Sequence, residues 1–84
     1  MPAMYILESE TSAKFHIGSA LHLPKRLAEH ARLHSPYTRG RGPWRLVYQE
    51  DYESLVDARR REWQIKSWKS HRSIQELIDR HKVG

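Results

Sequence analysis

The sequence predicts a small α/β domain with the element order β-β-α-β-α-α. Short runs rich in aromatic and β-branched residues indicate three strands, and amphipathic segments indicate three helices. The first two strands would form an N-terminal β-hairpin, and helices would flank the three-stranded sheet. With 84 residues, the chain has material for one domain, so we assign residues 1–84 to a single unit.

The predicted strands are Met4–Leu7, Phe15–Gly18 and Trp44–Glu50. A polar segment with Ser9, Thr11 and Ser12 separates the first two and indicates a turn. Residues 35–43 contain prolines and glycines and indicate a loop before the third strand.

Three helices follow from capping and periodicity. Pro24 suits a first helical turn, and the helix would run for roughly ten residues with Leu23, Leu27 and Ala31 on one face. Ser54, with Asp57 three residues later, predicts the start of the second helix. The same spacing at Ser73–Glu76 predicts that the last helix opens there and buries Ile74, Leu77 and Ile78.

Glu62 lies in the apolar stripe of the second helix, which Leu55, Ala58 and Ile65 define. A carboxylate on an inward face is costly unless a cation or several donors meet it. A metal site is therefore the first explanation to test. Two alternatives are an internal ion pair with Arg26, which would add little net stability, and a position at the edge of the stripe that reaches solvent.

The charge pattern indicates a polyanionic partner. Lysine and arginine total 15 against 10 acidic residues, for a net charge of +5, and the excess is clustered at residues 39–41, 59–61 and 66–72. Such clusters favour nucleic acid, with an acidic protein or an anionic membrane as alternatives. The absence of cysteine excludes disulfides, thiolate metal sites and cysteine nucleophiles. No signal-peptide pattern or membrane-length apolar stretch is present, so we expect a soluble, cytoplasmic protein.

Several segments together resemble a known family. In order along the chain they are Tyr5–Leu7, Phe15–Ala20, Lys25–Leu27 with Glu29 and His30, Tyr37–Gly40, Trp44–Tyr48, Ala58–Glu62 and Lys66–Lys69. Their order and spacing, from Tyr5 to about Ile78, resemble the GIY-YIG nuclease superfamily. The pattern is similar to the small stand-alone bacterial members and to the N-terminal catalytic domain of the excision-repair nuclease.

The resemblance implies a metal-dependent DNA endonuclease. By it, Glu62 would hold one divalent cation, Mg²⁺ or Mn²⁺, and Arg26 would clamp the scissile phosphate with its planar fork. Tyr5 would position the attacking water or accept its proton, and His30 would touch the active-site edge or a phosphate. His16 stands where the family usually has the first tyrosine of its second tripeptide, and a histidine can itself act as a base near neutral pH.

A second departure lies at the first tripeptide, which reads Ala3-Met4-Tyr5 instead of Gly-Ile-Tyr. This departure matters less, because by the resemblance only the tyrosine side chain would take part in the reaction. His30 and His34 have a spacing that zinc can use, but no third ligand is evident nearby. Trp63 and Trp68 would either stack on bases or pack in the core.

Residues that would track a phosphate backbone lie in the loop and near the end of the second helix: Thr38, Arg39, Arg41, Lys66, Lys69 and Arg72. A small domain has little surface for sequence readout, so we expect structure-directed or weakly specific cutting of single-stranded, branched or duplex DNA, in repair or recombination. We expect a monomer or weak homodimer. The alternatives are a basic nucleic-acid-binding module that does not cut, and a small interaction domain for an acidic protein.

Overall fold

A computed structural model describes the backbone of residues 1–33 and 44–81 and the side chains of residues 1–29 and 44–81. Its elements are β1 (Ala3–Ser9), β2 (Phe15–Ala20), α1 (Leu23–Leu33), β3 (Trp44–Asp51), α2 (Leu55–Ser67) and α3 (His71–Arg80). The predicted fold class and element order are confirmed. The loop predicted at residues 35–43 lies outside the described residues.

The sheet is antiparallel with the strand order β2-β1-β3, so β1 is the middle strand. β2 continues past Gly18 to Ala20, because its backbone pairs with β1 as far as Ala3. On the other side, Ile6 pairs with Tyr48 and Leu7 with Leu46, which leaves Val47 as an extra residue in β3. This bulge changes the local twist of β3 beside the central strand.

The two faces of the sheet carry separate apolar clusters, because alternate residues of β1 point to opposite sides. Met4 and Ile6 pack with residues from α2 and α3, namely Ile65, Ile74, Leu77 and Ile78. Tyr5 and Leu7 pack with Leu23 of α1 on the other face. Helices therefore cover both faces, and a site at the β2 edge of the sheet can draw residues from either side.

Ser54 caps α2 as predicted, since its hydroxyl oxygen accepts a hydrogen bond from the Asp57 N–H at 3.2 Å. The predicted start of α3 at Ser73 is wrong by three residues. Ser70 is the cap, and its hydroxyl oxygen accepts from the Ser73 N–H at 3.2 Å. Lys69, at φ 49°, turns the chain sharply after α2 and brings Ser70 into the capping position. Ile74, Leu77 and Ile78 are buried as predicted. Across the described ranges, no helix is long and apolar enough to cross a membrane.

Candidate active site

The Glu62 side chain is only 13% exposed, and both of its oxygens have donors. Oε1 accepts a hydrogen bond from the Ser19 hydroxyl at 2.6 Å, across from the edge strand β2. Oε2 accepts from the Lys66 ammonium, also at 2.6 Å, one turn further along α2. The inward carboxylate predicted from helical spacing is thus present, and it is held between a neutral and a cationic donor.

Tyr5 is 2% exposed and lies opposite Gly18 in the β1–β2 pair. A Cβ atom at position 18 would come within 2.6 Å of the Tyr5 hydroxyl oxygen and 2.7 Å of its Cζ. Only glycine therefore lets the ring extend across β2 without displacement. The Tyr5 phenol therefore reaches β2, the strand that also carries Ser19.

Burial raises the pKa of Tyr5 above 10.0, while the positive charge of Arg26 lowers it and the negative charge of Glu62 raises it further. Arg26 of α1 and Glu62 of α2 therefore both lie within electrostatic reach of Tyr5 on β1. The net shift is upward, so the phenol keeps its proton at neutral pH, as an ordinary tyrosine does.

Arg26 contributes an exposed guanidinium. Its side chain is 49% exposed, and Nη1 lies 3.9 Å from Oε2 of Glu29, one turn further along α1. In the part of the chain with described side chains, Glu62 has Lys66 as its ion-pair partner. The alternative of an internal Arg26–Glu62 ion pair is therefore wrong, and the guanidinium remains accessible to an anion.

His16 lies on the same sheet face as Tyr5, since it pairs with Leu7 of that face. Its ring centroid is 6.3 Å from that of Tyr5 and 6.2 Å from that of Trp44. Arg26 and Glu62 both lie within electrostatic reach of Tyr5, and His16 adjoins Tyr5 on the α1 side of the sheet, whereas Glu62 meets β2 at Ser19.

Part of the predicted site cannot be placed. His30 belongs to α1, but its side chain lies outside the described residues, as do His34 and the loop residues Thr38, Arg39 and Arg41. Where side chains are described, no group of three or more histidine, aspartate or glutamate residues could together hold a metal ion. The donor set is a single carboxylate, which suits Mg²⁺ because that ion keeps several waters and takes phosphate oxygens as further ligands.

The other predicted nucleic-acid contacts separate into two environments. Lys66 belongs to the Glu62 site itself, whereas Lys69 is exposed after α2 and Arg72 is 89% exposed beside Glu76 on α3. Trp68 packs partly against the core under the guanidinium of Arg61, at 5.7 Å from the ring centroid. Trp63, in contrast, is 72% exposed.

Sequence reasoning missed a polar network beside the site. The Glu50 carboxylate accepts hydrogen bonds from the hydroxyls of Tyr48 and Tyr52 and from Nε of Arg61 at 3.0 Å. Burial, with the hydrogen bond to Glu50, raises the pKa of both tyrosines to about 12. The network joins α2 to β3 through Arg61, the residue that precedes Glu62 in α2. The signal available in the sequence was the alternation of residues 48, 50 and 52, which predicts one shared face.

With this geometry in view, residues 1–75 match the GIY-YIG catalytic domain. The chain belongs to the GIY-YIG family, a nuclease family, so the domain has a nuclease-type fold and its substrate class is nucleic acid. A UPF0213 protein of Clostridium perfringens is 36% identical over 76 residues, which cover 89% of this chain and 81% of that protein. A UPF0213 protein of Halobacterium salinarum is 36% identical over 67 residues, covering 79% and 86% of the two chains.

A solved structure supports the same assignment. The solution NMR structure of a UPF0213 protein from Bacillus halodurans matches with a TM-score of 0.61 and 32% sequence identity. The match covers 96% of this chain and 86% of the other, so the two chains share the fold over nearly their whole lengths.

Proposed function

We propose that this chain is a divalent-metal-dependent DNA endonuclease with structure-directed or weak sequence specificity. Its substrates would be single-stranded or branched DNA in repair or recombination. The observation that carries the proposal is the Glu62 carboxylate, 13% exposed and within electrostatic reach of Tyr5. Arg26 acts on the same phenol from α1, so an acid and a guanidinium both lie near one phenol, a combination that supports phosphodiester hydrolysis.

Each side chain has a distinct task in this proposal. A Mg²⁺ or Mn²⁺ ion bound by Glu62 would supply positive charge at the scissile phosphate. Arg26 binds the phosphate oxygens and offsets the charge that develops on them. Tyr5, whose phenol keeps its proton at neutral pH, donates a hydrogen bond that orients the attacking water. His16 accepts the proton of that water.

Ser19 and Lys66 act on Glu62. The Ser19 hydroxyl fixes the orientation of the carboxylate from β2, as a partner of a metal ligand does. The Lys66 ammonium offsets the negative charge of the Glu62 carboxylate. In this proposal Lys66 would also bind a phosphate oxygen of the substrate strand.

The test compares cleavage of labelled single-stranded, duplex and branched DNA in Mg²⁺, in Mn²⁺ and in EDTA. Glu62→Gln should lower the cleavage rate by roughly a hundredfold or more, because it removes the charged ligand. Ser19→Ala should lower it by roughly 10- to 100-fold, as changes next to metal ligands do. Glu76→Gln, an exposed glutamate on α3, is the matched control and should cleave at the natural rate. Products that persist in EDTA or in Glu62→Gln would contradict the proposal.

A second candidate is a basic nucleic-acid-binding module that does not cut. Two observations favour it: the Lys66 ammonium lies on Glu62 where a metal would bind, and histidine stands at position 16. This candidate predicts salt-sensitive binding that EDTA leaves unchanged, and no products with any metal.

A further inference from the structure

Trp63 is a large aromatic residue on the outer face of α2, with 72% of its surface exposed. The core-facing side of that helix carries Ala58 and Ile65, both fully buried. Packing therefore does not explain a tryptophan at this position. Its chain neighbour is Glu62, so the indole lies about 100° around the helix from the carboxylate.

Two cationic residues lie between Glu62 and Trp63 on the helix surface. Lys66 comes four residues after Glu62 and lies about 40° around the helix axis from it, on the side toward Trp63. Arg59 comes three residues before Glu62 and lies about 60° from it on the same side. Both side chains are exposed. A strip therefore runs outward from the carboxylate through an ammonium and a guanidinium to the indole. We call this the α2 strip: Glu62, Lys66, Arg59 and Trp63.

The charge of the α2 strip selects its partner. Val56 is the other exposed apolar residue on this side, at 59%, but Arg59 and Arg60 lie between it and Trp63 along the helix. A protein partner would meet cations at the centre of that surface, whereas a nucleic-acid strand would place its phosphates there. An aromatic ring beside a row of cations is the combination that single-strand binding grooves use.

We propose that Trp63 stacks on an unpaired nucleobase of the substrate strand, while Lys66 and Arg59 bind the phosphates that lead from that base to Glu62. In a duplex, each base already has neighbours on both faces, so the indole has a free face to meet only where the strand is single or disrupted. The inference rests on the proposed function for the position of the scissile phosphate. It makes Trp63 a residue that determines substrate structure.

The first arm measures equilibrium binding in EDTA, where no cleavage occurs, by fluorescence anisotropy of a labelled single-stranded oligonucleotide and its duplex. Trp63→Ala should weaken single-strand binding roughly tenfold, which is within the range known for loss of one stacked base. Duplex binding should change less than twofold. Val56→Ala removes exposed apolar surface from the same face and should leave both affinities unchanged. Trp63→Phe, which keeps a smaller ring, should fall between the natural chain and Trp63→Ala.

The second arm places a single abasic site at successive positions of the single strand. At one position the missing base should weaken binding by the natural chain as much as Trp63→Ala does. Trp63→Ala itself should be insensitive to the abasic site at that position, because the two changes remove the same contact. Additive losses would overturn the stacking contact.

Outcomes for the two proposals are separable. If no metal supports cleavage but both binding arms behave as stated, the nuclease proposal fails and the stacking of Trp63 stands. If cleavage occurs with Mg²⁺ and Trp63→Ala binds single strands like the natural chain, the stacking inference fails alone. Sedimentation of the natural chain and of Trp63→Ala without DNA tests whether the indole mediates self-association instead. Self-association that disappears in Trp63→Ala would assign the indole to a second copy and overturn the inference.

Discussion

At the scale of single residues, Gly18 decides where the Tyr5 ring can lie. The site of a Cβ atom at position 18 is 2.6 Å from the phenol oxygen, so Gly18→Ala must push the ring aside or shift β2. We expect a loss of about 1–3 kcal/mol in the free energy of unfolding, as overpacking in a core produces. The displaced phenol should also slow cleavage. Urea unfolding followed by circular dichroism measures the first effect.

The control for Gly18→Ala is Ser12→Ala, which adds no atoms at an exposed turn position. It should leave the free energy of unfolding within about 0.5 kcal/mol of the natural value. A Gly18→Ala chain as stable as the control would show that the ring has another position to occupy.

His16 offers a second prediction, through the pH dependence of cleavage. If His16 is the base, kcat/KM should rise with pH as the imidazole loses its proton. His16→Tyr, which inserts the residue usual in the family, should move that limb to alkaline pH, because phenols ionise near about 10. His71→Gln, on the other sheet face against Phe15, should keep the natural profile. If kcat/KM rose over the same pH range in His16→Tyr as in the natural chain, a group other than residue 16 would be the base.

The sequence predicted the inward position of Glu62, because helical spacing alone places it beside Ala58 and Ile65. It could not predict that Ser19 meets that carboxylate, since the two residues are 43 positions apart and only the folded sheet edge joins them. Lys66 was predicted to bind nucleic acid, and its contact with Glu62 depends on a side-chain rotamer that spacing permits but does not select.

At the scale of elements, the Glu50 network fixes α2 against β3. Burial alone would raise the pKa of Glu50, but hydrogen bonds from Tyr48, Tyr52 and Arg61 outweigh it and lower the pKa below 4.5. A carboxyl group whose pKa is lowered by folding stabilises the fold above its unfolded pKa. That stability is lost as the pH falls below 4.5 and through the lowered folded pKa.

The measurement compares the natural chain with Glu50→Gln in urea between pH 7 and pH 3. The natural chain should be more stable at neutral pH, and the difference should shrink as the pH falls below 4.5, where the carboxylate gains a proton. Glu76→Gln alters an exposed pair with Arg72 and should show a small difference throughout. A constant gap for Glu50→Gln would mean that the charge of Glu50 adds no stability.

Local patterns located every described element, since composition and turn residues indicated the strands and periodicity and capping indicated the helices. The failure at the start of α3 has a physical cause: Ser70 and Ser73 both suit a cap, and the turn at Lys69 decides between them. The Arg59–Arg61 run shows the same limit. Only the orientation of α2 selects Arg61 for Glu50 and leaves Arg59 and Arg60 exposed.

At the scale of the whole molecule, the net charge of +5 makes binding to any nucleic acid dependent on salt. Lys69 and Arg72 lie where α2 gives way to α3, near the end of α2 that carries Lys66. If both contact phosphates, replacing the two with alanine should reduce the slope of log K against log salt by roughly 1.4 for single strands. Fluorescence anisotropy at several salt concentrations measures that slope.

Arg80→Ala supplies the comparison for the salt series. It removes one positive charge from the last turn of α3, far along the helix from Arg72. Its slope should equal that of the natural chain. A slope that followed net charge in both variants would indicate a diffuse field instead of contacts at the α2–α3 junction.

The middle position of β1 affects how the chain folds during synthesis. β1 leaves the ribosome before β3, so one of its hydrogen-bonding edges has no partner until residues 44–51 have emerged. Its apolar side chains stay uncovered during that interval, which is when a nascent chain is open to chaperones or to misassembly. Glu62 and α2 come later still. The side chains of the candidate site therefore cannot come together until residues 55–67 have emerged as well.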